Sequence, residues 1–181
     1  MPAKISLRKL IHAKRKAIPS HHRRGRSKKI FEELLRDPSF DAAEHVAIYC
    51  GISPEVSTRP FLKALMKEKK VYLPKTPSGK KYMTFRQIRS LSKDLIKGPY
   101  GIMEPKASCC ERSAARMDLI VVPGVAFDRR GGRLGRGAGY YDRLLGKAKK
   151  VVKIGLCFRE QIVKKVPMKA HDVRMDRVIT D

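Results

Sequence analysis

Residues 118–145 read DLIVVPGVAFDRRGGRLGRGAGYYDRLL, and the rest of the chain is most easily understood outward from them. An apolar run, Leu119 to Val122, follows an acidic residue and stops at Pro123-Gly124, the pattern of a buried strand ending in a turn. Glycine then occupies Gly131, Gly132, Gly135, Gly137 and Gly139, with Arg133 and Arg136 set among them. A helix-like segment, Tyr140 to Lys149, begins as the glycines end. Glycine at this density lets the backbone adopt positive φ and approach a ligand closely. Free backbone N–H groups with the start of a helix suit phosphate oxygens, and the arginines add planar forks. Asp142, in the first helical turn, is placed to be stabilised by the helix dipole or to meet Mg²⁺. The alternative reading is a tight surface turn. No Walker A Gly-Lys-Ser/Thr is present, and Tyr140 stands where a dinucleotide fingerprint from Gly135 requires glycine.

A chain of 181 residues, 42% apolar and 33% charged, has enough material for one domain with a substantial core. No apolar run approaches the roughly 18 residues of a membrane span. A basic N-terminus without a following apolar core argues against a secretory signal, so a cytoplasmic enzyme is expected. The formal net charge is +25. It points either to a polyanionic partner or to general solubility, and its even spread favours the second. Cys50, Cys109, Cys110 and Cys157 form no C-x-x-C pair and read as free thiols.

Before the glycine-rich stretch, residues 4–17 read as an amphipathic helix with Ile5, Leu7, Leu10 and Ile11 between basic residues. Lys4 and Arg8 share a face of it, either as solvated cations or as an anion site. A second helix is expected from Ser20 to Arg36, stopped by Asp37-Pro38. His12, His21 and His22 have no neighbour at metal-ligand spacing. His45–Cys50 reads as a strand, and Thr58 as the N-cap of a helix over Arg59–Lys69. Glu55, in the loop between them, is either a ligand contact or helix-start decoration. Val71–Pro74 reads as a buried strand, Lys75–Lys80 as a loop, Lys81–Arg86 as an exposed strand, and Ile88–Ser113 as irregular. Val151–Phe158 is a last long strand, Gln161–Val166 a short amphipathic piece, and His171-Asp172 a loop before a strand over Arg177–Thr180. Alternating strands and helices predict a single-domain, three-layer α/β/α sandwich around a largely parallel sheet. Ligands in such folds gather beyond the carboxyl ends of strands, where the loops after Cys50, Val122 and Phe158 would meet.

Lys4-x-x-x-Arg8, EVSTRP after the first strand, YLPK, GPYGIMEP, the glycine-arginine loop ending in GYYDR, and IGLCFREQIV followed by VPMKAHDVRMDRVIT occur in one order along the chain. Together they resemble the 5-formyltetrahydrofolate cyclo-ligase (5,10-methenyltetrahydrofolate synthetase) family. The resemblance implies an ATP- and Mg²⁺-dependent ring closure in which the formyl oxygen attacks the γ-phosphate and N10 then closes the ring. It implies ATP contacts from Lys4, Arg8, Arg133, Leu134, Gly135, Arg136, Gly137, Ala138, Gly139, Tyr140 and Tyr141. Folate contacts would come from Cys50, Glu55 and Arg136 to Tyr140, with Glu55 accepting pterin N–H groups. Arg136 and Tyr140 would serve the chemistry, and Asp142 and Asp172 the magnesium. Ala138 departs from the glycine many relatives carry, a change compatible with the loop if its φ is negative. The high charge would suit folates bearing poly-γ-glutamate tails. A monomer without membrane association is expected. The rival expectation is an RNA- or ribosome-binding module on the same fold, weakened by the absence of tryptophan and of clustered aromatic residues. Replacing Arg136 or Asp142 is expected to remove turnover and leave the fold intact.

Overall fold

In a computed structural model, residues 2–77, 79–80, 82–98 and 101–181 are described. Ser78, in the expected 75–80 loop, Lys81, at the start of the expected exposed strand, and Pro99 and Tyr100, in the GPYGIMEP turn, lie outside them.

The chain opens with helices α1 (Pro2–Ala17), α2 (Ser20–Leu35) and the short α3 (Pro38–Ala42). Asp37 does more than stop α2. It caps α3, its Oδ1 accepting from the backbone N–H of Ser39 (2.9 Å) and Phe40 (3.3 Å), with Pro38 at the first helical position. Strand β1 (His45–Ala47), a one-turn 3₁₀ helix over Arg59–Phe61 running into α4 (Leu62–Glu68), and β2 (Lys70–Lys75) follow. Next come β3 (Thr84–Ile88), β4 (Leu95–Lys97), β5 (Met103–Pro105) and β6 (Glu111–Arg112). The last part holds β7 (Leu119–Pro123), β8 (Ala126–Asp128), β9 (Arg133–Leu134), α5 (Tyr140–Gly146), β10 (Val152–Cys157), β11 (Ile162–Val163) and β12 (Arg177–Thr180).

The main sheet runs β12-β10-β7-β1-β2-β3-β6. Its first five strands are parallel, and β3 and β6 are added antiparallel at one edge. Central strands are apolar apart from the buried Lys153, as burial on both faces requires: Leu119 to Val122 and Ile154 to Cys157 contain no exposed residue, and a Cβ on Gly155 would stand 2.5 Å from the Phe127 ring. Ile30, Phe31 and Leu34 of α2, Phe40 of α3 and Leu62 and Leu65 of α4 cover one face. Leu144 and Leu145 of α5, with Phe127 and Met175, cover the other. The expected α/β architecture with a largely parallel sheet is therefore present.

Three expectations change. Residues 88–113, read as irregular, contain β4 paired with β5, and β6 paired with β3. These strands are two or three residues long and are specified by their partners, not by any local alternation. The strand expected as exposed is β3, with Phe85 and Ile88 buried against β2. Thr58 makes no side-chain cap. Its hydroxyl instead donates to the carbonyl of Tyr49 and accepts from the N–H of Gly51 (3.1 Å), tying the ends of the 51–58 loop together.

The first half of the glycine-rich stretch is more ordered than a loop. β8 and β9 form an antiparallel hairpin, and β11 adds parallel to β8. Asp128 is buried at its centre and accepts from the backbone N–H groups of Arg130 and Gly132 (both 2.9 Å) and Val166 (2.8 Å). Gly131 has φ +77°, and a Cβ there would stand 2.0 Å from the carbonyl oxygen of Met175, so no other residue fits. Burial pushes the Asp128 carboxyl upward, but the three N–H donors outweigh it and hold it below the usual carboxylate value. A depressed carboxylate stabilises the fold fully above its unfolded value, about 4, and loses that contribution as pH falls through the folded value. Asp128→Asn should therefore cost about 1–3 kcal/mol at pH 7, and this gap from the parent should shrink below about pH 4. Urea titrations at pH 7 and pH 3.5 measure both; an equal gap at the two pH values would refute the linkage.

Candidate active site

Strand β1 connects toward β2 on one side, whereas β7 pairs with it on the other, so a crevice opens at the carboxyl ends of β1 and β7. The 51–58 loop rises from β1 and the glycine-arginine loop follows the β8–β9 hairpin after β7. They meet through one ion pair, Arg136 Nη2 to Glu55 Oε1 at 2.7 Å. The Glu55 side chain is 10% exposed and that of Arg136 53%, so the carboxylate lines the crevice while the guanidinium stands at its mouth. A backbone turn sets the carboxylate, with Glu55 N–H donating to the Ile52 carbonyl (2.7 Å).

Helix α1 lies along the glycine loop, in an unexpected orientation. Ile5 and Leu10 are exposed at 52% and 53%, whereas Lys4, Arg8, Ile11 and Arg15 turn inward. Spacings of four, three and four put these residues on one face. Arg8 Nε donates to the Gly135 carbonyl (2.8 Å), and its guanidinium carbon lies 3.6 Å from where a Cβ on Gly137 would be. Gly137 has φ +116°, a conformation that L side chains rarely adopt. Lys4 pairs with Asp172, which also accepts from the Lys169 N–H (2.6 Å). Burial raises the Asp172 carboxyl, but Lys4 and that N–H prevail and hold it low.

Arg133 is placed differently from an open phosphate fork. Its side chain is 3% exposed; Nη2 donates to Asp142 Oδ1 (2.8 Å) and Nη1 to the Pro123 carbonyl (3.2 Å). Leu134 is a core residue, packed with Ile11 and Val166. Cys50 is buried at the end of the β1 segment, with its thiol pushed up by burial. The Tyr140 hydroxyl reaches the Lys80 carbonyl (3.4 Å) and its ring lies under the Arg143 guanidinium. Tyr141 is oriented inward, its hydroxyl buried and without a partner, and burial followed by the Glu55 charge raises its pKa.

The crevice also holds groups that local sequence reading passed over. Arg15 is 4% exposed, and its Nε and Nη1 have no hydrogen-bond partner. Burial lowers its pKa, opposed by the charge of Glu55. Tyr49 is buried and raised by burial and then by Glu55, its hydroxyl donating to the Val56 carbonyl (3.3 Å). The signal for Arg15 was its distance from Arg8, seven residues and two helical turns along one face.

Asp142 and Asp172 are hard oxygen donors, as Mg²⁺ requires. Among the described residues no three His, Cys, Asp or Glu side chains gather into a metal cage. This donor set fits a magnesium ion that brings most of its ligands as water and phosphate oxygens. It does not fit a tightly caged structural metal.

Fold and site together define an α/β enzyme domain whose crevice combines inward cations, a glycine-rich backbone and a recessed carboxylate. The profile of the 5-formyltetrahydrofolate cyclo-ligase family matches residues 1–181, and the chain belongs to that family. A probable 5-formyltetrahydrofolate cyclo-ligase of Schizosaccharomyces pombe is 30% identical over 98% of this chain and 94% of its own. The structure of Aquifex aeolicus 5,10-methenyltetrahydrofolate synthetase superposes with a TM-score of 0.87 at 37% identity, covering 98% of this chain and 89% of that one. A Mycoplasma pneumoniae 5,10-methenyltetrahydrofolate synthetase, 24% identical, shares the fold with a TM-score of 0.77 over 97% of each chain. The RNA-binding alternative finds no support among these relatives. No helix among the described residues is long and apolar enough to cross a membrane.

Proposed function

We propose that this chain, acting as one domain over residues 1–181 and as a cytoplasmic monomer, closes 5-formyltetrahydrofolate to 5,10-methenyltetrahydrofolate with consumption of MgATP. The formyl oxygen attacks the γ-phosphorus, the bond to ADP breaks, and a phosphorylated iminium forms. N10 adds to the activated carbon and gives up its proton; the C–O bond then breaks and phosphate leaves. A phosphoryl transfer of this kind asks the protein for positioning and charge stabilisation, with no protein nucleophile required.

The single observation that carries this reading is the Arg136–Glu55 pair, which brings the glycine loop to the recessed carboxylate across the carboxyl ends of β1 and β7. The nucleotide phosphates are assigned to backbone N–H groups from Gly135 to Gly139, with Arg136, Arg8 and Lys4 as cations, Tyr140 at the rim and Tyr141 turned inward beneath them. The pterin is assigned to Glu55, above Cys50, with the formyl group toward Arg136. Bound magnesium would neutralise phosphate charge as it is transferred. Asp142 and Asp172 are the residues assigned to hold it. The basic surface suits folates with poly-γ-glutamate tails.

Purified protein mixed with ATP, Mg²⁺ and 5-formyltetrahydrofolate should develop the near-ultraviolet absorbance of the methenyl product, with one ADP formed per product. ATP hydrolysis without the chromophore, or no reaction with either substrate, would overturn the reading.

A further inference from the structure

A buried guanidinium with unused donors is costly, because its hydration is lost and nothing replaces it. Arg15 is in that condition: at 4% exposure, its Nε and Nη1 meet no acceptor. It is also not an isolated core residue, for it comes from the inward face of α1 that carries Lys4 and Arg8, and it feels the charges of Glu55 and Arg136. Arg136 already donates to Glu55 and, being half-exposed, is free to turn to the phosphates. Arg15 has no such freedom.

The reduced pterin supplies what is missing. Its 2-amino-4-oxo edge presents, in order, an amino group, an N3–H and the C4 carbonyl oxygen: two donors followed by one acceptor. A carboxylate satisfies only the first two. The third position needs a donor at the same depth beside that carboxylate. From this we infer that Arg15 is a specificity-determining residue, its guanidinium donating to the pterin C4 oxygen while Glu55 accepts from the amino and N3–H groups. The inference rests on the cyclo-ligase reading of the site. It deepens that reading by explaining why an arginine with two unused donors is kept buried in the crevice.

The test compares two ligands that differ along this edge: 5-formyltetrahydrofolate and its 4-amino counterpart, which offers a donor at C4 where the substrate offers an acceptor and carries no hydrogen on N3 for Glu55 to accept. Their affinities, and that of ADP, are measured by calorimetry for the parent protein, Arg15→Met and Arg15→Lys. The parent should prefer the 4-oxo ligand. Arg15→Met should weaken 4-oxo binding by roughly tenfold to a hundredfold, the loss expected for a hydrogen bond to a charged group. It should leave ADP binding unchanged and narrow the preference over the 4-amino ligand by a similar factor, leaving the part that comes from N3–H on Glu55. Arg15→Lys, which retains the charge in a smaller head group, should keep more of the preference than Arg15→Met. Because methionine removes an unsatisfied charge while filling similar space, the melting temperature should stay level or rise. A preference undiminished in Arg15→Met, or an equal loss for both pterins and ADP in both variants, would overturn the inference and leave the cyclo-ligase reading standing. No binding of 5-formyltetrahydrofolate to the parent protein would overturn both.

Discussion

Arg136→Ala should lower kcat/KM by roughly a hundredfold or more, the usual consequence of removing one donor aimed at developing charge. It should hardly change the melting temperature. The two outcomes separate because of where Arg136 stands: its side chain is 53% exposed, and its ion pair with Glu55 is the contact that joins it to the opposite loop. An ion pair with one half-exposed partner contributes only about 0–1 kcal/mol after solvent screening. Glu55, left without that partner, still has the charge of Arg15 nearby. The loss should fall on kcat as well as on KM, since a group assigned to phosphoryl charge acts more strongly in the transition state than in the ground state. Arg136→Lys should recover only part of the rate, because a single ammonium cannot reproduce the planar fork. Glu55→Gln should behave differently, raising KM for the folate more than it lowers kcat. Steady-state kinetics with each substrate varied in turn, beside thermal melts, decide the matter. Parent-like kcat/KM in Arg136→Ala would remove Arg136 from the site.

Such residues were legible before the structure because the information for them is local. A strand ending at Pro123, five glycines within nine positions and a helix starting at Tyr140 constrain the backbone wherever the segment is placed. The parallel core strands were legible for the same reason, since Leu119–Val122 and Ile154–Phe158 have no polar face to expose. What failed was the facing of α1. Ile5, Leu7, Leu10 and Ile11 suggest an apolar side, yet only Ile11 and the half-buried Leu7 pack inward, against Leu134 and Val166. The face is chosen instead by Arg8 meeting Gly135 and Lys4 meeting Asp172, contacts 127 and 168 residues away in sequence. Periodicity cannot register partners so distant, and a cation at an inward position reads locally as solvated. Arg133 shows the same limit in reverse: it looked like an anion fork, and the fold uses its guanidinium as a buried brace between Pro123 and Asp142.

That brace makes the effect of replacing Asp142 larger than the sequence suggested. Asp142→Ala leaves the Arg133 guanidinium, 3% exposed, with only the Pro123 carbonyl and an Nε that already lacks an acceptor. Breaking a buried pair on one side costs about 3–5 kcal/mol, which for a chain of this size lowers the melting temperature by roughly 10 °C. Loss of turnover in Asp142→Ala would therefore mix misfolding with any loss of metal. Asp142→Asn separates them. Its carbonyl oxygen can still accept from Arg133, so most of the stability should remain, while the charge that would attract magnesium is gone. Kinetics of Asp142→Asn should show kcat/KM down roughly a hundredfold. Calorimetry should show that ADP binding no longer tightens when Mg²⁺ is added. The double replacement Arg133→Met with Asp142→Ala should regain stability without regaining rate, because an apolar pair can fill the place of a buried ionic one. An Asp142→Ala protein that melts like its parent would show that Arg133 needs no partner there. An Asp142→Asn protein with unchanged magnesium dependence would take the metal away from Asp142 and leave the carboxylate with a purely structural task.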